Sequence, residues 1–262
     1  MFNKSKVLFS LLLGSSLSLF ASNVSNENCV TKGENFIFAG GECIEYKKFD
    51  GDSEDKLNII VHGTWPEGTN TLGRYGPFAE SIAFQTDVST IAVALPGYSN
   101  SSTNRFPALS HEGVNNLSAN KDYINFLGDL VEALKEKYEA KTITYVGHSA
   151  GCSMGATLTG IRSELVNNIL CAGGNYDVHK KSDDKSLVSI VDVLDSVSKD
   201  TKFVLVYGTK DEISKPEVTK EFYSLAKEKG FDVKLVEAKD AVHLDLDMTD
   251  ASVKALIELT EE

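Results

Sequence analysis

From residue 57 onward the chain alternates short apolar runs with longer stretches in which apolar positions recur every three or four residues. The short runs, each followed by a turn or a polar loop, predict strands at 59–62, 90–94, 142–146, 169–172, 203–207 and 233–237. The longer stretches predict helices at 75–84, 119–138, 150–166, 216–229 and 251–259. The second of these carries Tyr123, Phe126, Leu127, Leu130, Leu134 and Tyr138 at close to the 3.6-residue period of one helical face. Such alternation is the mark of βαβ units, so the predicted class is α/β, with a mostly parallel central sheet and helices on both faces. Upstream, 42–49 predicts an antiparallel strand leading into the sheet, with Asp50-Gly51-Asp52 as the turn after it. Residues 180–200 read as a charged loop with a short helix drawn from the periodic stretch 187–197.

The first residues follow a different pattern. Lys4 and Lys6 precede an apolar run at 7–20, which ends at Ala21 before a polar stretch. This predicts a signal peptide over 1–21, removed after Ala21 or Ser22. At 14 residues the run is short of the roughly 20 that a helical membrane anchor needs. Asn26, Glu27 and Asn28 before Cys29 lack the small apolar residues expected ahead of a lipid-modified cysteine. No other run approaches membrane-spanning length, so no membrane span is expected after cleavage and the mature protein is predicted to be periplasmic or secreted. Without repeats or Pro-rich linkers, 22–262 is expected to form a single domain.

Charge and cysteines narrow the partners. The formal charge is −12, and the loss of Lys4 and Lys6 would leave −14. An acidic surface repels nucleic-acid phosphates and anionic membranes, so nucleic-acid binding is not expected. Four cysteines in an exported chain suggest two disulfides, with three pairings open. Cys29 and Cys43 flank Gly40-Gly41, which could turn a hairpin, and Cys152 and Cys171 fall on neighbouring predicted elements, so Cys29–Cys43 and Cys152–Cys171 are the expected pairs. Buried free thiols are the alternative.

The candidate chemistry begins where the strand at 142–146 runs into Gly147-His148-Ser149-Ala150-Gly151 and then a helix. This is the strand–turn–helix setting of a G-x-S-x-G nucleophile elbow. A serine hydroxyl needs a base to take its proton and a carboxylate to orient that base. Of the five histidines, His62 and His111 precede the serine, His148 lies inside the elbow and His179 leaves no room for an acid on a later strand end. His243, after the last predicted strand, is the candidate base, and Asp211, in the turn after 203–207, is the candidate acid. Asp177 and Glu212 are weaker candidates for that role. Asp245 and Asp247 alternate with His243 as a metal triplet might, but the alternation reads more simply as solvated positions, and neither a metal nor a cofactor is expected. The oxyanion donors expected are the N–H of Ala150 and that of Thr64 or Trp65, since Pro66 has none. His62 is expected to shape that loop.

Together, His62-Gly63, Leu95-Pro96-Gly97-Tyr98-Ser99, the elbow at Ser149 and the Gly208-to-Asp211 turn before His243 occur in an order and spacing that resembles the α/β-hydrolase superfamily over about 42–259. The resemblance implies an α/β-hydrolase fold, with Ser149, Asp211 and His243 as catalytic residues and Ala150 with Thr64 or Trp65 as oxyanion donors. Two positions depart from the family pattern: Val242 precedes the histidine where many members have Gly, and Cys152 lies one helical turn from the nucleophile. The expected function is acyl-ester hydrolysis on a small-molecule or lipid-like substrate. A peptidase or cell-envelope acyl hydrolase, and a non-catalytic interaction protein, are the other readings. Trp65, Tyr98 and Phe106 are the candidate substrate-binding residues, Arg105 a candidate selector, and 174–200 a candidate small cap. Oligomeric state is not encoded in any motif.

Overall fold

A computed structural model describes residues 23–261; the predicted signal peptide lies outside the described residues. The elements in order are α1 (Asn26–Val30), β1 (Phe36–Ala39), β2 (Glu42–Phe49), β3 (Ser53–Val61), α2 (Thr71–Thr86), β4 (Val88–Val93), α3 (Lys121–Lys137), β5 (Thr142–His148), α4 (Ala150–Ile161), β6 (Asn168–Ala172), α5 (Ile190–Val193), β7 (Lys202–Gly208), α6 (Pro216–Glu228), β8 (Asp232–Ala238) and α7 (Asp250–Glu261). The strands form one eight-stranded sheet in the order β1-β2-β4-β3-β5-β6-β7-β8. The six strands from β3 to β8 run parallel, while β2 is antiparallel to both β1 and β4. The inner parallel strands carry apolar cores because helices cover both faces of the sheet, and Ile59, Ile143, Val146, Ile169, Leu170, Leu205 and Val206 are buried.

The departures from the sequence reading have local causes. β3 starts at Ser53, ahead of the apolar run, because Ser53 pairs with Val88 of β4 and Lys56 with Thr142 of β5. α2 starts at Thr71, ahead of Gly73 and Pro77, because Asn70 caps it by accepting from the Gly73 N–H at 2.9 Å. α4 stops at Ile161, since Arg162 leaves the helix to pair with Asp129 and Glu132 on α3. Cys29 and Cys43 lie at bonding distance, as do Cys152 and Cys171, and Gly40-Gly41 closes the hairpin between β1 and β2. Among the described residues no helix is long and apolar enough to cross a membrane.

The loop after β4 is tied down from below. Glu42, with no exposed surface, accepts the backbone N–H groups of Asn104 at 2.8 Å, Arg105 at 2.6 Å and Phe106 at 2.9 Å, together with the Ser102 hydroxyl. Arg105 donates to the Gly40 carbonyl at 2.6 Å and stacks on Phe106, so its guanidinium is engaged by the hairpin. The segment 174–200 packs α5 against α4, and Val188 N–H bonds the Ala119 carbonyl ahead of α3.

Candidate functional site

The site is assembled at the C-terminal edge of the sheet, where open α/β sheets gather their functional groups. β5 ends at His148, and the chain turns at Ser149 with φ 53° and ψ −116° before α4 begins at Ala150. A non-glycine residue at that φ is strained, and the turn persists because its surroundings are packed to accept it. Gly151 is required there: a Cβ would stand 2.3 Å from the Val61 carbonyl oxygen. A Cβ on Gly147 would meet the Cys152 backbone at 2.6 Å. Gly63, at the exit of β3, leaves space for the Ser149 side chain, which a Cβ would approach to 2.8 Å. Thr64 and Trp65 follow from that point of contact. Ala150 opens α4, and the first N–H groups of a helix have no partner within it.

Asp211 follows β7 in a turn, its side chain wholly enclosed. Its Oδ1 accepts the N–H groups of Ile213 at 2.9 Å and Ser214 at 2.8 Å, and its Oδ2 lies 2.8 Å from His243 Nδ1. The other ring nitrogen, Nε2, lies 2.8 Å from Ser149 Oγ. An ionised carboxylate only accepts, so the pattern assigns the proton of neutral His243 to Nδ1 and leaves Nε2 free to accept from the serine hydroxyl. The two turns carrying Asp211 and His243 are themselves joined, since Lys210 N–H bonds the Ala241 carbonyl at 2.9 Å. Asp177 instead caps a 3-10 turn through the His179 N–H, and Glu212 points to solvent, so neither approaches His243.

The remaining histidines divide by partner. His62 is fully buried, donates to the Gly63 carbonyl at 2.7 Å and accepts the Leu95 N–H at 3.1 Å. Burial pushes its pKa down to about 4, against the pull of the Gly63 carbonyl, so it stays neutral and braces the loop. His148 lies inside the elbow, and its Nε2 is 2.8 Å from the His243 carbonyl oxygen, where it donates. His111 pairs with Glu67, and His179 with Asp192.

Three sequence expectations are corrected. Tyr98 has no exposed surface: it packs edge-on to His62 and donates to the Trp65 carbonyl at 2.8 Å, so it supports the loop from inside. Phe106 sits among Tyr123 and Phe126 in the core. Neither side chain is available to a ligand, whereas Trp65 is half-buried beneath the Arg74 guanidinium. Asp247 is 1% exposed and not solvated, because the 3-10 turn Leu246–Met248 sets its side chain inward. Burial pushes its carboxyl pKa up, opposed by His148, Arg74 and His243. Asp245 pairs with Arg74. Among the described residues no group of His, Cys, Asp or Glu is arranged to hold a metal.

An open cleft of about 820 Å³ adjoins the site, lined by Asp211, Ile213, Pro216, Val242, His243 and Leu244 among others. No residue of 174–200 lines it.

No protein-family model matches the sequence, and no curated protein is matched by it. Solved structures are matched by the fold. A predicted hydrolase of Thermoplasma acidophilum superposes with a TM-score of 0.63 at 15% identity, over 87% of this chain and 97% of that one. An esterase of Pyrococcus furiosus gives 0.62 at 15% identity, covering 84% and 87%. A carboxylesterase of Bacillus cereus gives 0.58 at 15% identity, covering 83% and 93%. The chain has the α/β-hydrolase fold.

Proposed function

We propose that the chain is a serine hydrolase that cleaves a carboxylic ester, or a related acyl bond, of a small-molecule or lipid-like substrate. The observation that carries this reading is His243, held at 2.8 Å from both a buried carboxylate and the hydroxyl of a serine in a strained turn. His243 Nε2 takes the Ser149 proton as Oγ bonds to the substrate's carbonyl carbon, while Asp211 stabilises the imidazolium. The carbonyl oxygen becomes an oxyanion, received by the Ala150 N–H and that of Thr64 or Trp65. The bond to the leaving oxygen then breaks, and His243 returns the proton to it. Water, deprotonated by His243, attacks the acyl-enzyme; the acid leaves and Ser149 regains its proton. The esterase and carboxylesterase among the structural neighbours support the ester as substrate by analogy of fold alone. The same reading places the protein outside the cytoplasm, supported by the apolar pattern at 7–20 and by two cysteine pairs at bonding distance.

Fluorophosphonate labelling of the purified protein tests it. Label is expected on Ser149 and is expected to be lost in Ser149→Ala and His243→Ala, with hydrolysis of p-nitrophenyl esters falling at least about 10³-fold in each. A folded wild-type protein that takes no label would favour a non-catalytic interaction protein.

A further inference from the structure

Five large apolar side chains stand mostly exposed among the described residues: Val30, Phe84, Ile213, Val242 and Leu244. The last three, exposed by 70%, 51% and 53%, line the cleft that Asp211 and His243 also line. They come from the two connections that carry the acid and the histidine, β7 to α6 and β8 to α7. Singly scattered apolar residues need no explanation, but three gathered around a functional histidine mark a binding face. A ligand group that covers them removes their apolar surface from water, and that is favourable in proportion to the area covered.

The direction of proton transfer says which part of a substrate lies there. This step rests on the serine-hydrolase reading. His243 Nε2 takes the serine proton and must hand it to the leaving oxygen, so the leaving group lies on the His243 side of Ser149. The carbonyl oxygen turns the other way, towards the start of α4 and the loop after β3. The cleft is lined by His243 and both its chain neighbours, and by no residue of α4 or of 62–66. We propose that Ile213, Val242 and Leu244 form the subsite for the leaving alcohol, and that the preferred substrates are esters of uncharged alkyl alcohols several carbons long. The rim carries Lys210 and Lys215 against Glu212 and Glu217, a balance that offers a charged headgroup no net attraction. Lys210 is in addition paired with Asp240 at 2.9 Å.

The subsite acts only until the alcohol departs. Its substitution therefore changes kcat/KM across a series of alcohols and leaves the hydrolysis of a common acyl-enzyme alone. The test measures kcat/KM for methyl, butyl and hexyl butyrate, and for ethyl esters from acetate to octanoate. Ile213→Ser and Leu244→Ser are each expected to lower the hexyl-to-methyl ratio about fivefold, and the double variant about 20-fold, below the effect of a closed pocket because the cleft is open. Phe84→Ser, an exposed apolar residue on α2, is the control and leaves the ratio unaltered. An unaltered ratio in folded cleft variants overturns the proposal. So does a shift confined to the acyl series, which would make the cleft an acyl site, or a change of oligomeric state on gel filtration, which would make the face a contact between copies. A wild-type protein that neither takes label nor cleaves any ester removes this inference together with the hydrolase reading; ester cleavage with unaltered alcohol selectivity removes this inference alone.

Discussion

His148 bears on the reaction without touching Ser149 Oγ. Its Nε2–H holds the carbonyl of His243 at 2.8 Å, while Nδ1 is buried with no hydrogen-bond partner. The bond runs from the elbow to the histidine's own backbone, so it sets the height of the imidazole over the serine it precedes. Replacing His148 with Leu is expected to lower kcat about tenfold with little change in KM, the rate equivalent of one hydrogen bond. His148→Gln, whose amide nitrogen can stand where Nε2 stood, is expected to restore most of the loss. Equal losses in both variants would show that the ring fills space there and positions nothing. This contact was not legible in the sequence, because a histidine next to the nucleophile has no signature of the backbone atom it will meet. Ser149, Asp211 and His243 were legible as candidates, since each lies in the connection that follows a predicted strand. Asp247 was misread for the opposite reason: a period-2 pattern says which side chains face water only in extended chain, and Leu246–Met248 is a 3-10 turn.

Glu42 does for the loop after β4 what the helix termini do for the site. One buried carboxylate at the start of β2 gathers three N–H groups and a hydroxyl from 102–106. Glu42→Ala would leave those donors enclosed without an acceptor, at an expected cost of about 4 kcal/mol, seen as a drop in the urea midpoint at nearly constant slope. A loss under about 1 kcal/mol would mean that water or the Arg105 contact with Gly40 already suffices. Tyr98, Arg105 and Phe106 look like binding residues when the sequence around them is taken in isolation. The acceptor that holds the backbone of the last two lies about 60 residues earlier, beyond the reach of any local pattern. The strand cores and the long helices were visible because their apolar periods are local. Their ends were less so, since Arg162 ends α4 by reaching across to α3, a tertiary contact.

At the scale of the whole molecule, the order of strand, turn and helix was sufficient to predict the parallel sheet, and neighbours at 15% identity reproduce it over most of the chain. A sheet buried on both faces also encloses ionisable groups, and these make the stability depend on pH. His62 is neutral in the folded protein with a pKa near 4, whereas in the unfolded chain it would titrate near 6.5. Between those values the unfolded chain binds the proton and the native protein does not. Stability is therefore level above about pH 6.5, falls as the pH is lowered towards 4, and levels again below it. A difference of about 2.5 pKa units corresponds to about 3 kcal/mol. Asp247 acts in the opposite sense: its raised native pKa makes the ionised form a cost, relieved as acid protonates it. Comparing the protein with His62→Gln cancels Asp247 and every other shared group. The Gln amide can both donate to the Gly63 carbonyl and accept from the Leu95 N–H, but it takes up no proton. Urea unfolding at pH 7, 5.5 and 4 is expected to show the wild-type protein losing about 3 kcal/mol more than the variant across that range. Parallel losses would mean that His62 titrates in the folded protein as it does in the unfolded chain, so that burial beside Ser149 sets no penalty on its charged form.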